Sequence, residues 1–229
     1  MSRALSLIAV LSLAVPASAT TLFFDFGDIG QQTTGNYNNI THVQAPIADA
    51  IDDTGTHTGI ALTVTDAFWP GSNTSGTTSP TGDAAMFDPQ ATRDNLFGST
   101  VDFGGITEPT GGFTLSGLST APGVIYNFTF FGARLGVGDN RETAYDVAGA
   151  TSATAFLNTS SNVSDVALVS GIAADVNGEI VVTVGPGPNN NNSSGFYYIG
   201  AMRIDIVPEP ASALLLGLGA LGLRRRCRA

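Results

Sequence analysis

The stretch YNFTFFGARLGVGDNRETAYDVAG, Tyr126 to Gly149, carries the pattern on which the fold turns. Tyr126-Asn127-Phe128-Thr129-Phe130 places an aromatic ring at every second residue, the period of a half-buried strand. A link rich in Gly, Asp and Asn follows, and Thr143 to Val147 reads as a second, weaker strand. Working outward, the alternation returns in Ile60 to Thr65, where Ile60, Leu62 and Val64 share one face. It returns again in the β-branched run Ile180 to Val184, and in Met202 to Ile206 with Arg203 and Asp205 pointing outward. Leu22 to Phe26, Phe113 to Leu118 and Ala153 to Leu157 are weaker examples. Between residues 20 and 206 no stretch shows a capped helical period. Gly71 to Ser99 is the least periodic region, expected to hold a long loop or a short helix near Arg93 to Phe97. Eight to ten short strands separated by turn signals predict an all-β domain, an antiparallel β-sandwich of jelly-roll type, with the phenylalanines filling its core. By analogy with lectin-like sandwiches, the first strand (Leu22 to Phe26) and the last (Tyr198 to Ile206) are expected to be neighbours. There is no internal repeat, so neither a propeller nor a solenoid is supported.

Lysine is absent, and the nine basic residues are all Arg. Only Arg93, Arg134, Arg141 and Arg203 lie between residues 20 and 206, against 18 acids, a net charge of −14 for that segment. Such a surface repels nucleic-acid phosphates and anionic headgroups, so neither is an expected partner. The N-terminus has the parts of a secretory signal peptide: Arg3, an apolar run from Leu5 to Val15, and Ala17-Ser18-Ala19 as an A-x-A cleavage site. Residues 1–19 are therefore set apart from the fold as a signal helix. Cys227, the single cysteine, lies in the tail, so residues 20–206 can form no disulfide and must rely on core packing.

The chain ends VPEPASALLLGLGALGLRRRCRA, residues 207–229. Ala211 to Leu223 is uncharged and has no polar face; as a helix it would span roughly 20 Å, short of the ~30 Å hydrocarbon core. It is read as a short transmembrane helix that needs local thinning of the bilayer, with Arg224, Arg225 and Arg226 snorkelling on the cytoplasmic side. Pro208-Glu209-Pro210, the short apolar run and the terminal arginines together resemble the PEP-CTERM protein-sorting signal. The resemblance implies recognition of Pro208, Glu209 and Pro210 by an exosortase-type enzyme after signal-peptidase cleavage. It also implies transient anchoring in the inner membrane, then removal of the tail. Delivery would be to the envelope, outer surface or extracellular matrix of a Gram-negative-type bacterium, with an association with exopolysaccharide. By the same reading Cys227 leaves with the tail.

LFFDFG at 22–27, the 126–149 stretch and YYIGAMRIDI at 197–206 resemble, more loosely, jelly-roll modules of exported bacterial proteins, galactose-binding-like domains among them. Within residues 20–206 the candidate ligand-binding residues are Trp69, Tyr37, Arg134, Asp139, Asn140 and Arg141. Trp69, in Phe68-Trp69-Pro70-Gly71, and Tyr37, in Gly35-Asn36-Tyr37-Asn38-Asn39, offer rings for sugar C–H faces. Arg134, Asp139, Asn140 and Arg141 share one glycine-rich loop and offer a polar clamp. The plainer reading is that the arginines satisfy nearby carboxylates and Trp69 anchors a loop, and it is the favoured one. Asp25, lodged between Phe24 and Phe26, and Asp205 are candidate metal ligands among several aspartates. Without a D-x-D-x-D-G spacing, a structural Ca2+ is a compositional expectation only. His42 and His57 lack zinc spacing, and no G-x-S-x-G is present. Asn189 to Asn192 reads as low-complexity loop.

Three functions follow. The first is a non-catalytic carbohydrate- or matrix-binding sandwich. The second is a secreted hydrolase on the same scaffold, which needs facing carboxylates or a His beside a Ser or Asp. The third is a purely structural coat protein.

Overall fold

The computed structural model describes residues 19–208, so the signal helix and the short transmembrane helix both lie outside the described residues. Thirteen strands and one 3-10 turn occur among the described residues: β1 (Thr20–Gly27), β2 (Tyr37–Thr41), β3 (Ala61–Asp66), β4 (Leu96–Phe103), β5 (Ile106–Glu108), β6 (Gly111–Ser116), β7 (Ile125–Phe131), β8 (Glu142–Ala148), β9 (Ser152–Asn158), β10 (Ala167–Ile172), β11 (Ile180–Pro186), β12 (Tyr197–Ile199) and β13 (Ala201–Val207), with the 3-10 turn at Gly82–Met86. They form two five-stranded sheets, ordered β10-β7-β13-β1-β2 and β3-β6-β11-β8-β9, and a three-stranded sheet β12-β4-β5. Every named pairing is antiparallel except β1 with β2. The first and last strands are neighbours, with Leu22 opposite Ile204 and Phe24 opposite Met202. The architecture is a jelly-roll-like sandwich, the chain crossing between the large sheets at β2–β3, β6–β7, β7–β8, β9–β10 and β10–β11.

Alternation explains which residues fill the core. Leu22, Phe24 and Phe26 of β1, Tyr126, Phe128 and Phe130 of β7 and Met202 and Ile204 of β13 point from one sheet. Leu62, Leu115, Tyr145, Val147, Val182 and Val184 meet them from the other. Rings bridge the sheets: Phe26 to Phe113 at 5.3 Å and Phe130 to Tyr145 at 4.6 Å.

The reverse face of the first sheet is also covered. Phe131, Ala133 and Ala201 pack with Ala84, Phe87 and Ala91 into a second core, flanked by Phe23 and Tyr37. The polar region 71–95 is therefore a lid over that sheet. Its backbone is tied as a long hairpin by Asn73 and Asn95, which exchange N–H···O bonds at 2.9 Å, and by Gly76 and Thr77 donating to Arg93 and Thr92. Burial on both faces is why Leu22 to Phe26 reads as a continuous apolar run broken only by Asp25.

One local expectation is corrected, and one strand without a sequence signal is added. No helix forms near Arg93 to Phe97: Leu96 begins β4, held by pairing with β12, and the single short helical turn lies earlier, at Gly82–Met86. The stretch Asn36-Tyr37-Asn38-Asn39 shows no apolar alternation in sequence. From Tyr37 onward it is β2, because the Asn38 side chain donates to Phe23 O and Ile51 O and accepts from Ile51 N, replacing the apolar residue expected at a buried position.

Candidate functional site

β12 pairs with β4 so that Tyr198 lies opposite Phe97, and their rings stack at 6.1 Å. Phe97 also stacks with Trp69 at 5.1 Å, and Phe103, at the far end of β4, meets Trp69 at 5.4 Å. Phe196, just before β12, closes the row at 5.2 Å from Phe103 and 6.4 Å from Tyr198. The result is an aromatic strip with a buried base (Phe97, Tyr198) and an accessible rim in which Phe103 is 42% exposed and Trp69 and Phe196 are half-buried. The Trp69 indole is held in place: Nε1 donates to Phe103 O at 2.9 Å, and its backbone N–H donates to Phe97 O at 2.9 Å.

Arg141 terminates the strip. Its guanidinium lies 5.4 Å from the Phe196 ring centroid and 6.0 Å from that of Tyr198, within cation–π range. Nη1 donates to Tyr198 Oη at 2.6 Å, and Nε donates to Asp139 Oδ1 and Oδ2 at 3.0 and 3.2 Å. Burial pushes the Asp139 carboxyl up, but hydrogen bonds from Asn192 and Arg141 outweigh it, so it stays below the ordinary carboxylate range.

Asn189 to Asn192 is not a slack loop. Asn189 donates twice to the Glu142 carboxylate, and Asn190 donates to Glu142 O and Phe196 O. Asn191 accepts from Asn140 N, and Asn192 accepts from Ser194 N and Phe196 N while donating to Asp139. Four amides thereby fasten the Phe196 segment to the Asp139–Glu142 segment and hold the strip's polar end rigid.

Trp69, Asp139 and Arg141, singled out separately in the sequence, thus share one surface. Burial pushes the Tyr198 hydroxyl up, against the opposing pull of Arg141 and of the more distant Arg134, whose Nη1 donates to Leu135 O. Asn140 faces the Asn191 backbone, its Oδ1 buried and without a partner. Tyr37 is elsewhere. It packs 5.3 Å from Phe23, accepts a hydrogen bond from Asp88 N at 2.9 Å, and has its hydroxyl pushed up to about 12 by burial, so it builds the second core. Sequence reasoning missed Phe97, Phe103, Phe196 and Asn192. The one available signal was the density of aromatics in Phe196-Tyr197-Tyr198.

The two metal candidates do not meet. Asp205 is opposite Thr21 on β1, accepts from Thr21 Oγ1 at 2.7 Å and pairs with Arg203 at 2.7 Å. Asp25 lies further along, opposite Ala201. There it is joined by Asp94, which was not singled out. Burial drives both carboxyls up, Asp25 to about 6 and Asp94 to about 7. Among the described residues no three His, Cys, Asp or Glu side chains converge as a metal group.

The imidazoles pair with carboxylates, His57 Nδ1 at 3.1 Å from Asp49 and His42 Nδ1 at 3.5 Å from Asp28. His57 lies in a cleft of about 310 Å3 lined also by Asp52, Thr58, Ser119 and Tyr126. The His57 side chain is 71% exposed, and among the described residues neither imidazole bonds a Ser or Thr hydroxyl.

β13 ends at Val207, and the sequence continues directly into Pro208-Glu209-Pro210, the apolar run and Arg224 to Arg226. Residues 207–229 match the family model for this order of parts. The chain ends in a PEP-CTERM protein-sorting motif. A PEP-CTERM motif marks an exported protein of the cell envelope, processed in general by an exosortase-type system. No curated protein matches the chain in sequence. Three solved structures overlap parts of it. TmCBM61 in complex with β-1,4-galactotriose does so with 15% identity and a TM-score of 0.30, over 49% of this chain and 70% of that one. Xyl-CBM35 in complex with a glucuronic acid-containing disaccharide does so with 14% identity and a TM-score of 0.28, over 43% and 66%. The exo-β-1,3-galactanase from Phanerochaete chrysosporium, with galactose, has 16% identity and a TM-score of 0.28, over 66% of this chain and 31% of that one.

Proposed function

We propose that residues 20–206 form a non-catalytic carbohydrate- or matrix-binding sandwich, positioned at the cell surface by the PEP-CTERM tail. The observation that carries this reading is the half-exposed strip running from Trp69 through Phe103 and Phe196 to Arg141. Aromatic faces take the C–H surfaces of a sugar, and the Arg141–Asp139–Asn192 end supplies donors and acceptors for its hydroxyls. The Asn189 to Asn192 fastening fixes that geometry before binding, so little ordering cost falls on association. Signal peptidase removes residues 1–19. The apolar tail holds the domain at the inner membrane until an exosortase-type enzyme acts at Pro208-Glu209-Pro210. The domain then meets exopolysaccharide or another matrix component.

The test is binding of the purified exported protein to an array of bacterial and plant polysaccharides. Trp69→Ala and Phe196→Ala are each expected to weaken binding by about tenfold or more, the range of a central aromatic contact. Tyr37→Phe, in the second core, should leave binding unchanged. If the protein binds no glycan on the array, or if both strip variants bind like the parent, the strip reading fails and the coat-protein reading leads. Release of reducing ends that disappears in His57→Ala would favour the hydrolase instead, since His57, paired with Asp49, lines a cleft of about 310 Å3.

A further inference from the structure

Each sheet among the described residues ends in two edge strands, and an edge strand shows a row of backbone N–H and C=O groups with which another chain can pair. All but one of these edges are blunted. β3 is covered by Ile47, which exchanges N–H···O bonds with Leu62 at 2.9 and 2.8 Å. β2 is fenced by its own asparagines, Asn38 bonded to the Ile51 backbone and Asn39 to that of Thr33. β10 is bulged between Val169 and Ile172, which interrupts its ladder. β12 and β5 are only three residues long, and β5 ends in Glu108.

β9 has none of these devices. Ser152–Asn158 pairs with β8 along its whole length without a register shift, and among the described residues it pairs with no other named strand. Its sequence, SATAFLN, contains neither a charge nor a proline. Alternate residues turn their N–H and C=O toward β8, so the others turn them outward. The strand is exposed except at Ala155 and Leu157, and the Phe156 ring is 49% exposed, opposite Ala144 of β8. Charge sets this edge apart as well. Residues 20–206 carry a net charge of −14, yet no acid, Arg or His occurs from Val147 to Ser164. The carboxylate of Asp146, just before that stretch, accepts from Thr154 Oγ1.

We infer that β9 is the docking edge for a second copy of this chain, the two β9 strands pairing antiparallel across a two-fold axis. Every pairing in the β3-β6-β11-β8-β9 sheet is antiparallel, so the partner extends the sheet without a change of sense. The two-fold makes the edge self-complementary, each strand serving as template for the other. Charge favours this contact over any other between copies: elsewhere acids would oppose acids, whereas β9 meets β9 with no charge on either strand. Fullest overlap of two seven-residue strands puts the axis at Ala155. Phe156 then lies opposite Thr154 of the partner subunit, and aromatic–β-branched pairs of this kind stabilise a sheet. Because the other edges are blunted, assembly stops at two copies. The pair carries two aromatic strips and so is bivalent toward a polymer. The inference itself is independent of the glycan reading, since its readouts are mass and amide exchange and need no sugar.

The exported protein is followed through a dilution series by sedimentation velocity, with hydrogen exchange measured at each concentration. A monomer–dimer equilibrium is expected, with no larger species. It should tighten as salt is raised, because the Debye length shrinks to about 10 Å at 0.1 M and the like charge of the two copies is screened. The outward amides of 152–157 should exchange more slowly as the dimer forms, while those of β10 keep one rate. Phe156→Glu, at an exposed position, should keep the parent's circular dichroism spectrum. It should dimerise about tenfold more weakly or worse, since it sets a carboxylate from each copy beside the axis. Leu168→Glu, at an exposed position on β10, should dimerise like the parent. A protein that stays monomeric at its highest soluble concentration overturns the inference. A dimer that survives Phe156→Glu, with 152–157 exchange independent of concentration, places the contact elsewhere and overturns it too. Growth beyond two copies also overturns it and favours coat assembly instead.

Discussion

Phe130→Ala should lower the free energy of unfolding by about 3–5 kcal/mol, the range for truncating a buried aromatic in a well-packed core. Phe130 is fully buried, stacks on Tyr145 at 4.6 Å and 7° and lies parallel to Phe128 at 5.9 Å. It projects from β7 of one large sheet, and Tyr145 from β8 of the other, so this stack is a direct rivet between the layers. Tyr145 cannot follow into the cavity without breaking the bond from its hydroxyl to Tyr198 O at 2.8 Å, so the space stays open. The exported domain has no disulfide to limit the damage, because Cys227 is the chain's only cysteine. Urea denaturation followed by circular dichroism measures the change. Phe130→Leu, closer in volume, should cost less than about 2 kcal/mol. A loss below about 1 kcal/mol for the alanine variant would mean that the inter-sheet stack does not carry the core.

Asn95→Ala should cost about 2–4 kcal/mol, because it strands two buried backbone groups rather than merely deleting contacts. Asn95 is fully buried. Its Nδ2 donates to Ala133 O at 2.7 Å and its Oδ1 accepts from Ala133 N at 3.0 Å, so the side chain acts as a short piece of strand. Gly200 packs closely on it: a Cβ there would lie 2.8 Å from Asn95 Oδ1. Asn95→Asp is a sharper probe. It keeps the acceptor but turns the donor to Ala133 O into a second oxygen, so it should be at least as damaging at neutral pH. Asn95 also joins the root of β4 to the residue before Arg134, where the loop toward Arg141 begins. The alanine variant should therefore loosen the strip's polar end, seen as faster hydrogen exchange of the 134–141 amides than in Phe130→Ala, which is destabilised by a comparable amount. Equal exchange in the two variants would show that Asn95 supports the core without ordering the loop.

Strands were legible wherever one face is buried and the other wet. Ile60 to Thr65, Tyr126 to Phe130, Ile180 to Val184 and Met202 to Ile206 all fall within observed strands, shifted by a residue or so. β4 escaped because Gly98 and Ser99 interrupt its pattern, and the reason for Gly98 is tertiary: a Cβ there would sit 2.1 Å from Tyr197 Oη and 2.6 Å from Glu108 O. β2 escaped because Asn38, a turn former by composition, is buried as a backbone cross-brace. The asparagine run 189–192 looked like loop for the same reason; amides that read as polar filler in one dimension serve as fasteners in three.

The site divides in the same way. Trp69, Asp139, Arg141 and Asp25 could be singled out from residue type and neighbours, but not that the first three share a surface, nor that Asp25 faces Asp94. By itself the sequence determined the export address, the all-β class, the absence of a disulfide and the acidity of the exported domain. Each of these is written in contiguous residues or in bulk composition, where local propensity, period and charge act directly. Only the tertiary structure decided which loops meet. Stacking of Phe97 on Tyr198 joins Trp69 to Arg141, and the empty face of Gly27 admits Asp94 beside Asp25. Those partners lie far apart along the chain, and they are brought together by sheet pairing and core packing, terms to which no short stretch of sequence has access.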